Sequence, residues 1–118
     1  MTQIIRSLGL ILLLLNVTPV FATFYTAGTL AEYCKEHLKF VALETSHNRL
    51  SAGICQGYLA SKIEVMTLTQ QLCQRESLNL DRLAADFVAY VDEDPQRASA
   101  SATRGVIEVL QAKHACAE

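Results

Sequence analysis

The chain has 118 residues, of which 51% are hydrophobic and 19% charged, and its formal net charge at pH 7 is −2. The apolar fraction is too high for a disordered chain. A slightly negative charge without a lysine and arginine cluster argues against nucleic-acid binding, which needs concentrated basic charge.

Residues 1–22 have the composition of a secretion signal. Arg6 precedes an apolar run over residues 8–15, and a small residue, Ala22, ends the segment. We therefore expect cleavage after Ala22, which leaves one domain over residues 23–118. The alternative is an uncleaved membrane anchor, but the apolar run is shorter than the roughly 20 residues that cross a bilayer.

The mature chain shows helical spacing of apolar residues and no strand-like alternation, which predicts an all-α fold. A first helix is predicted to begin at Thr26 or Thr29, because Thr29 and Glu32 fit a capping box. The polar residues 44–48 predict a connection. A second helix is predicted from about Leu50 to Met66.

Two glycines, Gly53 and Gly57, lie inside the predicted second helix. Each costs roughly 1 kcal/mol of helix stability relative to alanine. We expect a close approach of a neighbouring helix to compensate for that cost. The alternative is that both glycines are merely tolerated and have no packing role.

Two more helices follow the connection over residues 67–77. Asn79 is predicted to cap the third helix, which has the apolar stripe Leu80, Leu83, Ala84, Phe87, Val88 and Val91. Asp94 and Pro95 suit the cap and first position of a fourth helix, predicted to reach about His114. Its small residues should let it lie close to a neighbour: Ala98, Ser99, Ala100, Ser101 and Ala102.

The four cysteines of an exported domain predict two disulfides, and four cysteines allow three connectivities. Short connections favour antiparallel neighbouring helices. Cys34 and Cys55 then lie near one end of a helical hairpin, and Cys73 and Cys116 near one end of another. We therefore favour the pairs Cys34–Cys55 and Cys73–Cys116. The predicted fold is a small all-α bundle of about four helices held by two disulfides.

A metal site and a catalytic site are the alternatives to this purely structural role. The cysteines include no C-x-x-C pair and match no zinc-ribbon spacing, although His37 and His114 lie close in sequence to Cys34 and Cys116. The acidic residues 92–94 fit a helix-capping turn better than a catalytic pair. Nucleophile and phosphate-binding motifs are absent from the sequence. We therefore expect no cofactor, no metal and no enzymatic activity.

Three parts of the chain resemble, in order, the Rap/Tai family of periplasmic immunity proteins. Residues 55–59 read C-Q-G-Y-L and match the C-x-G-Y-[IL] core of that family through Gly57 and Tyr58. The other two parts are a first helix with a cysteine and an alanine-rich C-terminal half, carried by Leu30, Cys34, Tyr90, Asp94, Pro95 and Cys116. The resemblance covers nearly all of residues 23–116.

The resemblance implies a function as well as a fold. It implies a periplasmic protein, often a homodimer, that binds a peptidoglycan amidase effector of a type VI secretion system and blocks its cleft sterically. The alternatives are a periplasmic acid-stress chaperone and a helical binding protein of unknown role. No membrane span is expected once the signal is removed.

Position alone indicates where a protein partner would bind. Loops bind partners more often than helical cores do, and two polar turns stand out at the ends of the predicted hairpins. Their candidate contact residues are Glu44, His47, Arg49, Asp92 and Glu93. The alternative role of these side chains is solubility alone.

Overall fold

The computed structural model describes residues 24–73 and 78–116, and these residues form an all-α bundle. The helices are α1 (Ala27–Val41), α2 (Arg49–Leu68), α3 (Leu80–Glu93), a short 3-10 helix (Pro95–Ser99) and α4 (Ala102–His114). The predicted fold of about four helices is therefore confirmed. The predicted secretion signal over residues 1–22 lies outside the described residues, and none of the helices within them is long and apolar enough to cross a bilayer.

Side-chain caps define where the helices begin. Thr26 caps α1, since its hydroxyl oxygen accepts the N–H of Thr29 at 3.2 Å. The predicted capping box of Thr29 and Glu32 is wrong, because Glu32 instead accepts a hydrogen bond from Lys35 at 2.9 Å. Asn79 caps α3 as predicted. A polar side chain at each of these positions satisfies backbone N–H groups that have no partner inside the helix.

Helix α1 is central, because α2, α3, the 3-10 helix and α4 all pack against it. The core between these helices is apolar, and its largest fully buried side chains include Leu30, Leu59, Phe87 and Leu110. His37 is the one buried polar side chain in the described part of the chain. Its Nε2 donates to Asp81 at 2.8 Å, which joins α1 to the first turn of α3.

Both predicted disulfides are confirmed. Cys34 and Cys55 join α1 to α2 with Cα atoms 5.0 Å apart. Cys73 and Cys116 join the segment after α2 to the segment after α4, with Cα atoms 4.8 Å apart. The first pair lies in the core and the second at the surface. We call them the inner and the outer disulfide.

The predicted close approach at Gly53 and Gly57 is wrong. A Cβ on either glycine would meet no described atom within 4 Å, because both lie on the outer side of α2. The tight contacts occur at two other glycines. A Cβ on Gly28 would lie 3.0 Å from Cβ of Ala98, and a Cβ on Gly105 would lie 3.1 Å from the ring of Phe87.

The prediction of one continuous fourth helix is also wrong. It is divided into the 3-10 helix and α4, with Ala100 extended between them. Two backbone hydrogen bonds to the start of α1 impose this break: the N–H of Ala27 donates to Ala100 at 2.8 Å, and the N–H of Ala102 donates to Tyr25 at 3.0 Å. Tertiary hydrogen bonds therefore override a locally favourable helix.

Candidate functional site at the tip of the first hairpin

The connection between α1 and α2 exposes large apolar side chains. Phe40 is 49% exposed, Leu43 88% and Leu50 74%. We call residues 40–50 the tip. Single exposed apolar residues are normal on a protein surface, but a group of them surrounded by polar residues marks an interaction site. The tip is therefore the leading candidate for a binding surface.

Leu43 adopts a backbone conformation that usually belongs to glycine. Its φ is 61°, in the left-handed region. The N–H of Leu43 donates to Phe40 and the N–H of Glu44 donates to Lys39, each at 3.0 Å, which is the Schellman pattern that ends a helix. A residue other than glycine destabilises the fold by about 1 kcal/mol when it adopts this conformation. The chain thus tolerates backbone strain while holding an exposed leucine at the tip.

The polar residues of the tip hold its backbone in place. Nδ1 of His47 lies 2.8 Å from the carbonyl oxygen of Glu44, so that nitrogen must carry the proton and donate it. The imidazole also packs edge-on against Phe40, with ring centroids 5.2 Å apart. These contacts fix the loop on both sides of Leu43.

Glu36 ties the tip to the body of α1. One carboxylate oxygen accepts the backbone N–H of Asn48 at 2.7 Å, and the other forms an ion pair with Lys39 at 2.8 Å. The Lys39 ammonium and then the Asn48 N–H lower the pKa of Glu36, because both stabilise the ionised carboxylate. Asn48 in turn caps α2 through Ser51. The loop is therefore preorganised before any partner arrives.

A shallow groove continues from the tip along α2. Its volume is about 180 Å³, and it is lined by Phe40, Arg49, Ala52, Gly53 and Gln56. The absence of a side chain at Gly53 keeps the groove open.

The structure brings together three of the five predicted contact residues. Glu44, His47 and Arg49 all belong to the tip. Asp92 and Glu93 lie elsewhere, where Asp92 pairs with Lys35 at 3.4 Å and Glu93 with Arg97 at 3.4 Å. Those two acidic side chains take part in surface ion pairs near the end of α3.

The apolar residues of the tip were missed by the sequence interpretation. Phe40 continues the helical pattern of α1, and Leu50 falls at the predicted start of α2, so neither was recognisable as exposed. Leu43 carried one usable signal, since it is a large apolar residue between Ala42 and a polar run. Its positive φ depends on the Schellman hydrogen bonds and has no signature in a sequence without glycine or asparagine there.

The family-motif residues contribute mainly to the scaffold. The Tyr58 hydroxyl lies 2.7 Å from the Thr103 hydroxyl, which joins α2 to α4. Asp94 accepts the N–H of Gln96 at 3.0 Å, and Pro95 takes the first position of the 3-10 helix, where the start of a longer fourth helix was predicted. Gly57 is exposed on α2.

A second concave region, of about 360 Å³, lies over α4 and includes Tyr90. Its charged groups pair with one another: Arg104 donates to Glu108 at 3.1 Å, and Tyr90 also donates to Glu108. This hydrogen bond raises the pKa of Tyr90, since ionisation would place two negative charges together. The guanidinium of Arg97 stacks on the Tyr90 ring at 4.0 Å. The network therefore connects α3 to α4.

Within residues 24–73 and 78–116, no three metal-ligating side chains come together. All four cysteines are in disulfides. His37, which lies close to Cys34 in sequence, contacts Asp81 through its buried imidazole. The described residues therefore offer an exposed candidate surface for a protein partner and show no assembled metal site.

Comparison with known proteins agrees with this description. The Rap1a immunity proteins match residues 26–116, which is most of the chain and includes every described helix. Neither the curated proteins nor the solved structures gave a significant match. The matched span runs from the cap of α1 to the last cysteine. The chain therefore belongs to the family of Rap1a immunity proteins.

Proposed function

We propose that this protein is a periplasmic immunity protein that binds a peptidoglycan amidase effector of a type VI secretion system and blocks its catalytic cleft. Family membership supports the immunity role. The amidase target comes from the sequence resemblance. The inhibition is steric and requires no chemistry from the immunity protein itself.

The observation that carries this proposal is the preorganised tip. Leu43 is 88% exposed at the apex of a loop whose backbone is held by hydrogen bonds on both sides. A rigid loop loses little conformational entropy on binding, so more of its contact energy appears as affinity. An exposed leucine next to the exposed ring of Phe40 suits insertion into a concave, partly apolar surface. An enzyme's substrate cleft is such a surface.

The experiment uses the mature protein and the amidase encoded beside its gene. We expect stoichiometric inhibition of peptidoglycan cleavage, with a dissociation constant on the order of nanomolar. Hydrogen exchange of the complex should show protection concentrated in residues 40–50. A neighbouring amidase that stays fully active, or a gene with no effector beside it, would contradict the proposal.

Export is part of the same proposal. Two disulfides support it, because such bonds persist in oxidising compartments and are rare in the cytosol. We expect the protein recovered from the periplasm to begin at Thr23. Mass spectrometry that finds Met1 retained would contradict cleavage after Ala22. The acid-stress chaperone alternative stays a prediction.

The outer side of α2 supports the further proposal that the protein is a homodimer. Small residues run along its centre and exposed apolar residues lie near its ends: Leu50, Gly53, Gly57, Ser61, Val65 and Leu68. We call these residues the outer face. In an antiparallel pair of α2 helices related by a twofold axis midway between Gly57 and Ser61, Val65 lies over the partner's Gly53 and Leu50 meets the partner's Leu68. Glycine permits that close approach.

The dimer has a test that does not depend on the effector. Gly57→Gln adds a side chain where the monomer has no described atom within 4 Å, so the fold should be kept. The added side chain would obstruct the paired helices. Sedimentation should show a dimer for the wild type and a monomer for the variant. A wild type that remains monomeric at high concentration would contradict the homodimer.

A further inference from the structure

The two disulfides differ sharply in their access to solvent. Cys34 and Cys55 are both 0% exposed, each within a helix that packs in the core. Cys73 is exposed and Cys116 partly exposed, and each lies beyond the end of a helix. A thiol reagent can therefore reach the outer disulfide in the folded protein. The inner disulfide becomes accessible only when the core opens.

The backbone around the outer disulfide holds its two cysteines together independently of the covalent bond. Leu72 and Ala115 form an antiparallel bridge, and the N–H of Cys73 donates to His114 at 3.2 Å. Leu72 is also 5% exposed and belongs to the core. After reduction these contacts keep the two sulfur atoms near each other. Reduction and reoxidation can therefore occur without large movement of the fold.

We propose that the Cys73–Cys116 disulfide is a site of reversible thiol–disulfide exchange with a dithiol protein of the C-x-x-C class. A thiolate of the dithiol attacks the exposed Sγ of Cys73, and the bond to Cys116 breaks. Cys116 leaves as a thiolate and takes up a proton. The second thiol of the dithiol then attacks the mixed disulfide and releases Cys73. Two electrons pass to the immunity protein, and the dithiol becomes a disulfide.

Within one protomer, this site lies far from the tip. Sγ of Cys116 is 3.4 Å from the carbonyl oxygen of Gln70, just beyond the last turn of α2. Leu43, at the apex of the tip, precedes the first turn of the same helix, which is 20 residues and therefore about 30 Å long. Exchange at the outer disulfide changes the stability of one end of the molecule and leaves the tip in place. The compartment's redox state would then control the lifetime of the protein without altering recognition.

The test follows each disulfide separately in the folded full-length mature protein, with dithiothreitol as the dithiol probe. Samples are quenched with an alkylating reagent at intervals and mapped by mass spectrometry, while circular dichroism reports helix content. We expect Cys73 and Cys116 to be labelled on the order of a hundredfold faster than Cys34 and Cys55, with the helical signal retained. A Cys73→Ser/Cys116→Ser variant should lack the fast phase.

Two results would overturn the proposal. One is reduction of both disulfides at a single rate. The other is resistance of Cys73–Cys116 until the helical signal is lost. A C-x-x-C oxidoreductase with its second cysteine replaced by serine should form a mixed disulfide at Cys73, and failure to trap one would exclude the protein partner. None of these measurements involves an effector, so their failure is separable from failure of the immunity proposal.

Discussion

Helices α1 and α2 end in the same backbone motif with opposite side-chain chemistry. After α1, Leu43 occupies the left-handed position of a Schellman motif, with φ at 61°. After α2, Gln70 occupies the same position with φ at 58°, and its N–H donates to Thr67 at 3.1 Å. Neither position is a glycine. One motif presents an apolar side chain to solvent, and the other presents a polar one.

The comparison separates what the backbone requires from what binding requires. Leu43 and Gln70 have the same strained left-handed backbone conformation, so strain alone does not identify a functional site. The segment that follows α2 and contains Gln70 is held by the outer disulfide, whereas the tip is held by hydrogen bonds from Glu36 and His47. The apolar side chain of Leu43, together with its exposed apolar neighbours, is what distinguishes the tip as a candidate binding surface.

Removal of the outer disulfide should give the largest change in stability. The bond joins residues 43 apart in sequence, and closing a loop of that length stabilises the fold by about 4 kcal/mol. We expect Cys73→Ser/Cys116→Ser to lower the free energy of unfolding in denaturant titrations by that amount. Affinity for the effector should stay within about threefold of the wild type, because the tip is intact. Loss of binding with correct helix content would show that the two ends are coupled.

Substitution of glycine at each left-handed position should change the stability less, and by the same amount at residues 43 and 70. Leu43→Gly and Gln70→Gly remove about 1 kcal/mol of strain, and the entropy of glycine in the unfolded chain offsets part of that gain. Thermal unfolding should therefore show each variant to be as stable as the wild type or slightly more stable. A clear loss at Leu43 alone would mean that its side chain packs within the monomer.

The smallest effect should be a pH dependence specific to the tip. The pKa of Glu36 is lowered in the folded state, so its contribution is complete above the ordinary glutamate pKa and is lost as the pH falls through the folded value. Glu36→Gln keeps an acceptor for Asn48 but removes the charge that pairs with Lys39. Amide exchange at Asn48 should be faster in the variant near neutral pH, and the difference should shrink as the pH falls below the ordinary glutamate pKa and the Glu36 carboxylate takes up a proton. A difference that persists in acid would exclude ionisation as its cause.

Much of the scaffold follows from local sequence signals. Asn79 and Asp94 cap helices where their side-chain chemistry predicts, and the cysteine pairs follow from antiparallel helix order. The errors arise where tertiary contacts decide. The hydrogen bonds of Ala27 and Ala102 divide the predicted fourth helix, and the folding of α2 against α1 leaves Gly53 on the outside.

The candidate site was only half predictable for the same physical reason. The polarity of Glu44, His47 and Arg49 indicated an exposed connection, since such residues rarely lie in a core. Exposure of Phe40 and Leu43 depends on where α1 ends and on which side of it faces α2. Those are properties of the packed bundle. A sequence pattern of apolar residues predicts burial, and the tip is where that inference fails.

The most direct test of the central claim is the effector affinity of one matched pair of variants, Leu43→Asp and Gln70→Asp. Both place the same carboxylate at an exposed left-handed position, so they should perturb the fold equally. We predict that Leu43→Asp weakens binding of the neighbouring amidase by roughly a hundredfold, while Gln70→Asp leaves it unchanged. Equal affinities for the two variants would show that the effector is not bound through the tip.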